Sequence, residues 1–158
     1  MTDTAVTPAH DQPVRHAYVM HYPAHEPRQG DPNYVDFEAY HKRTRATARC
    51  TLGTRIKDFS ECVDEHGTPV PPPDNGGEQS GLQLHHAHIE FALQNAADLQ
   101  WLESAYPGVS NPDEVGAWVE SAANLEWYCA GHHIGHAGVH CASSSDFEAE
   151  AFVRNLIS

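Results

Sequence analysis

The sequence predicts a small α+β domain with a short strand, several helices and a histidine-rich C-terminal half. Three observations carry this. Residues 82–89, LQLHHAHI, alternate as a half-buried strand does. Residues 110–114 spell a helix start: Ser110 or Asn111 caps, Pro112 takes the first helical position, and Asp113 and Glu114 face the positive end of the dipole. Of thirteen histidines, seven fall in two short clusters after residue 84, and neutral imidazole is the commonest protein metal ligand.

The remaining elements follow in order. Residues 1–14 are polar and read as a loose arm; 15–22, RHAYVMHY, read as a short strand. Pro23, Pro27, Gly30 and Pro32 make the next stretch a loop. From Tyr34 to about Arg49 the pattern is helical, with Tyr34, Phe37 and Tyr40 opening an apolar face. Residues 50–63 read as a weak hairpin with bends near Gly53 and Asp58, and 70–81 as an exposed Pro/Gly loop. Helices are expected over 96–106, closed by Pro107-Gly108, over 112–122, briefly after Cys129, and from Ser145, where Ser145-x-x-Glu148 matches a capping box. Phe147, Ala151 and Leu156 would dock that last helix. The organisation read is therefore an arm (1–14), a region of strand, basic helix and hairpin (15–81), and a metal-bearing module with inserted helices and a C-terminal helix (82–158).

Length and charge bound the function. The 158 residues suffice for one modest core. No apolar run approaches the ~20 residues that span a bilayer, and the N-terminus lacks a signal-peptide pattern, so a soluble, cytoplasmic protein without a membrane partner is expected. In that compartment Cys50, Cys62, Cys129 and Cys141 read as thiols or metal ligands before disulfides. The formal charge of -13 opposes nucleic-acid binding. However, six of the nine Lys and Arg lie between residues 42 and 57 (Lys42, Arg43, Arg45, Arg49, Arg55 and Lys57), a patch able to steer a polyanion or simply a solvated helix face.

The segments LQLHHAHIE (82–90) and NLEWYCAGHHIGHAGVH (124–140) together resemble the HNH endonuclease family. In that family a strand ends in Asp-His or His-His, and a later Asn-Leu opens N-L-x-x-L-C-x-x-C/H-H. Here Asn124-Leu125 is followed by Cys129, His132 and His133 in that register, with Tyr128 where Leu is usual and His132 where Cys is common. The resemblance covers most of 82–141 and extends to HNH-like proteins of actinobacteria and their phages. Two extra helices between His86 and Asn124 depart from the family's shorter loop.

The resemblance implies a ββα-metal, treble-clef-like module and a metal-dependent endonuclease acting on DNA. It implies His85 as metal ligand, His86 as general base with His88 as its rival, and His133 as second ligand. His140 is preferred over His136 for the third position, and Asn124 orients the base or its loop. The ion would be Mg, Mn, Ni or Zn. A structural zinc is implied at Cys129 and His132 with Cys50 and Cys62, although the eleven residues between Cys50 and Cys62 exceed ordinary zinc-ligand spacing. Cys141 is the spare thiol. Lys42, Arg43, Arg45 and Arg49 would hold nucleic-acid backbone. The competing reading is a zinc-stabilised structural or interaction protein on the same scaffold, a phage accessory or virion component with phage or host protein partners. Trp101, Trp118 and Trp127 read as packing residues, and Glu90 as a surface or capping group.

Overall fold

A computed structural model describes residues 22–70, 81–135 and 138–140, together with Pro8, Ala9, Asp11 and Pro72. The expected strand at 15–22, apart from Tyr22, and most of the N-terminal arm lie outside these residues. So do His136, Cys141 and the helix expected from Ser145.

The architecture mixes helices with a two-stranded antiparallel sheet. Strand β1 (Leu82–His86) pairs with β2 (Leu125–Cys129) in a register that sets His86 opposite Leu125, His85 opposite Glu126, and Leu82 opposite Cys129. Side chains alternate across a strand, so His85 and His86 leave on opposite faces of this sheet. Helix α1 (Tyr34–Thr44) covers the face of His86. Phe37 stacks on the His86 ring at 5.8 Å, His41 meets Trp127 at 4.9 Å, and the Trp127 indole donates to Thr44 Oγ1. Tyr34, Phe37 and Tyr40 do line the inner side of α1, while Lys42, Arg43, Arg45 and Arg49 are exposed.

The expected hairpin at 50–63 is instead helical at its start. Helix α2 spans Thr51–Ile56, and Leu52 and Ile56 dock into the core from one face. Lys57 ends it in the left-handed region, φ 59°, with its N–H bonded to Gly53 and Thr54 carbonyls. A Cβ at Gly53 would sit 2.6 Å from Phe59 Cδ1, so the glycine marks close packing rather than a hairpin bend. Packing of Leu52 and Ile56 outweighs the β tendency of Thr51, Thr54 and Ile56. A tight turn follows. Val63 bridges Pro69, and Asp64 Oδ1 accepts from the His66 and Thr68 N–H groups.

Between the strands, residues 87–124 form a unit with its own core. It comprises a 3-10 turn (Phe91–Ala96), α3 (Leu99–Ala105) and α4 (Pro112–Val119), packed through Phe91, Leu102, Val109, Val115, Trp118 and Val119. Asp98 caps α3 and Asn111 caps α4, with Pro112 at its start. The Glu114 carboxylate returns a bond to the Ser110 N–H, completing the start read from sequence. Trp118 and Trp127 are buried, but Trp101 is 78% exposed, so its expected packing role does not hold. Helix α5 (Ala130–His133) is a single turn after β2. Among the described residues no helix is long and apolar enough to cross a membrane.

Candidate metal centres

Two clusters of potential ligands meet at α5. The first is Cys50, Cys62, Cys129 and His132, all buried, with their donor atoms within 4.8 Å of one another. His132 Nδ1 lies 3.4 Å from Cys50 Sγ, 3.6 Å from Cys62 Sγ and 3.3 Å from Cys129 Sγ. Each ligand comes from a different device. Cys50 is the residue before α2, Cys62 precedes the Val63 turn, Cys129 ends β2, and His132 sits on α5. The Gly131 N–H bonds to the Val63 carbonyl and ties α5 to the turn that carries Cys62. The long Cys50–Cys62 spacing is thus spanned by a helix that folds back.

Without a cation this cluster is electrostatically awkward. Hydrogen bonds with Cys129 and Cys50 push the Cys62 thiol far up, while those from Cys50 and Cys62 hold Cys129 well below the ordinary thiol value. Burial lowers the basicity of His132, yet its bonds to Cys129 and Cys50 outweigh burial and raise it to about 10. Three sulfurs and one nitrogen at these separations suit a single tetrahedral ion, and the residues present fit such a group.

The second cluster is His85, His133 and His140, again within 4.8 Å. His133 Nε2 stands 3.2 Å from His85 Nδ1 and 3.1 Å from His140 Nε2. His140 is delivered by a wrap after α5, in which the Val139 and His140 N–H groups bond to His132 and His133 carbonyls. A Cβ at Gly138 would lie 2.5 Å from the His133 carbonyl oxygen, so the glycine there permits the wrap. The second ring nitrogen of His133 faces Gln83 Oε1 at 2.7 Å, the outer contact that orients a ligating histidine. Burial and the facing His133, His140 and His86 lower His85 to about 3, and burial with His140 lowers His133 to about 4. His85 and His133 are thus neutral donors at ordinary pH.

His86 lies on the other face and is 8% exposed. Its Nε2 is 3.0 Å from Glu120 Oε2. Glu120 is fully buried and held by Arg28 through Nε and Nη2, both at 2.9 Å. Burial pushes the Glu120 carboxyl up, but bonds from His86 and Arg28 outweigh it and leave the group below 4.5. Arg28 also lies 3.6 Å over the Phe37 ring. An ionised Glu120 only accepts, so His86 donates to it from Nε2, and Arg28 Nη2 lies 3.3 Å from the same nitrogen. Nδ1 faces Glu90 Oε2 at 3.8 Å.

Asn124 is fully buried and does not reach either cluster. Its Oδ1 accepts from the His88 and Ile89 N–H groups, and its Nδ2 donates to Ile89 and Val119 carbonyls. It clamps the loop that leaves β1. His88, turned out by that clamp, packs against the rings of Tyr106 and Trp118. Sequence reasoning did not find Arg28, Gln83 or Glu120, and it read Glu90 as a surface group. Glu120 ends the inserted helices and Arg28 sits in a Pro/Gly loop, and neither position carries a local signature. Searches of family models, curated proteins and solved structures found no match to this chain.

Proposed function

We propose that the chain is a metal-dependent HNH-type endonuclease hydrolysing phosphodiester bonds in DNA, with β1, β2 and α5 as its ββα-metal module. The observation that carries the reading is the convergence of His85, His133 and His140 beside a histidine, His86, whose tautomer is set by a buried carboxylate. A divalent ion (Mg, Mn, Ni or Zn) on those three would stabilise charge on a phosphate oxygen and on the departing 3′ oxygen. His86 takes a proton from water at Nδ1. Glu120 holds the His86 ring and favours the charged form it acquires, and Arg28 holds Glu120 in place. Asn124 is a positioning residue that fixes the loop after His86. Lys42, Arg43, Arg45 and Arg49 would hold the flanking backbone. Cys50, Cys62, Cys129 and His132 are assigned to a structural zinc.

A second reading is a zinc-stabilised structural or interaction protein, for example a phage component, on the same scaffold. The burial of His86 and the charge of -13 favour it. Plasmid cleavage by the purified chain with Mg, Mn, Ni or Zn decides, with His86→Ala and His133→Ala alongside. Cleavage lost in both variants supports the nuclease. No cleavage with any metal, together with tightly held stoichiometric zinc, supports the second reading.

A further inference from the structure

We propose that Glu90 is the fourth protein ligand of the His85/His133/His140 centre, which then binds its cation through three imidazoles and one carboxylate. The proposal rests on the three histidines forming a metal centre, but not on that centre being a nuclease. Glu90 Oε1 stands 3.8 Å from His85 Nδ1 and 3.6 Å from His140 Nε2. Donors sharing one ion at about 2.1 Å lie roughly 3 to 3.4 Å apart, so Glu90 stands near ligand spacing from two of the three histidines, and an ion of five or six ligands keeps positions open for phosphate.

The backbone commits Glu90 to this place. Asn124 fixes the two preceding N–H groups, His88 and Ile89, and the Glu90 carbonyl accepts from Leu93 in the 3-10 turn that follows. The side chain is 29% exposed, half withdrawn beneath the cluster rather than extended into water. Among the described residues Glu90 pairs with no lysine or arginine; its partners are His85, His86 and His140.

Charge supplies the second argument. Three neutral imidazoles leave both charges of a divalent ion uncompensated in a partly buried site, which is costly. A carboxylate there removes one of them. Oε2 meanwhile lies 3.8 Å from His86 Nδ1.

The test is a Co2+ titration of the metal-free chain, residues 1–158, followed by visible absorption. Thiolate-to-cobalt bands report the Cys50/Cys62/Cys129/His132 centre and serve as the folding control; the remaining change reports the histidine centre. In Glu90→Gln the second equivalent should bind about 10–100-fold more weakly with an altered spectrum, the thiolate bands being unchanged. Glu90→Asp should recover part of the affinity. An unchanged second affinity overturns the proposal. So does a weakened affinity with an unchanged spectrum, which places Glu90 behind a bound water. His133→Ala must abolish the second equivalent. If the wild-type chain binds only one Co2+, the histidine centre and this proposal fall together. If Glu90→Gln behaves as expected while no plasmid is cut, the nuclease reading falls and Glu90 stands.

Discussion

His132 and His133 are sequence neighbours on a one-turn helix, yet each belongs to a different cluster. His132 faces three sulfurs, and His133 faces His85 and His140. A four-residue helix has no stability of its own. What holds α5 is its tie to Val63 and the Cys129–His132 contact, so the two centres share one support.

Cys62→Ser should therefore cost both metals, although residue 62 touches only the first. Metal content measured after gel filtration checks this. Retention of a full second equivalent would mean that α5 is held by the surrounding chain instead.

Chelation should unfold the region around the sulfur cluster. The core cluster there contains Cys50, Cys62 and Cys129 beside Leu52, Val70 and Tyr128, so the ligands themselves are core residues. Structural zinc contributes several kcal/mol or more, and its removal should lower Tm by on the order of 10 °C. Calorimetry with and without a strong chelator measures it.

Arg28→Ala removes the cation beside the fully buried Glu120 carboxylate and leaves it the His86 hydrogen bond. Breaking a buried pair in this way costs about 3 kcal/mol. Glu120→Gln, which retains an acceptor for His86, should cost less in stability. Under the nuclease reading it should nevertheless slow cleavage, because the charge that favours protonated His86 is gone. Denaturation curves and plasmid assays separate the two effects.

Acid should destabilise the chain when only the sulfur centre is filled. His85 and His133 protonate near 6.5 when unfolded, but only near 3 and 4 in the fold. The unfolded chain thus binds more protons below pH 6.5, so this stability is complete above 6.5 and drains as pH falls toward 4 and 3. Glu120 adds a loss below 4.5 with the same sign. With one equivalent of zinc, urea unfolding at pH 5 should be easier than at pH 7 by about 4 kcal/mol, roughly half from each histidine. Filling the histidine centre should flatten that slope.

Asn124→Ala removes four hydrogen bonds and leaves the His88–Ile89 loop without its clamp. A loss of about 3 kcal/mol is expected. Hydrogen exchange of the His88 and Ile89 amides should accelerate well before global unfolding.

Much of this was legible from residues alone, where local chemistry repeats a rule. Alternation gave β1, the Asn111-Pro112 start gave α4, and the Cys129-x-x-His132 spacing gave one half of the sulfur cluster. The placement of Cys50 and Cys62 beside that half-site also matched. The route between them did not, because a helix whose stability comes from docking Leu52 and Ile56 resembles a weak strand in isolation. Arg28, Glu90 and Glu120 were opaque for a different reason. Each is an ordinary charged residue whose meaning lies in a partner 30 to 90 positions away or in a loop geometry set by Asn124.

The inserted helical unit enters and leaves the sheet at one point, where the Ala87 N–H meets the Asn124 carbonyl at 2.7 Å. Its ends are thus already joined, and its core is its own. Such a segment is an exchangeable cassette: a short turn could replace most of it without opening the strand pair. The exchange would spare the cysteine and histidine ligands, and strip His86 of Glu120 and the histidine cluster of Glu90. In this architecture the sulfur and imidazole donors lie on one set of segments, and the carboxylates that accompany them on another.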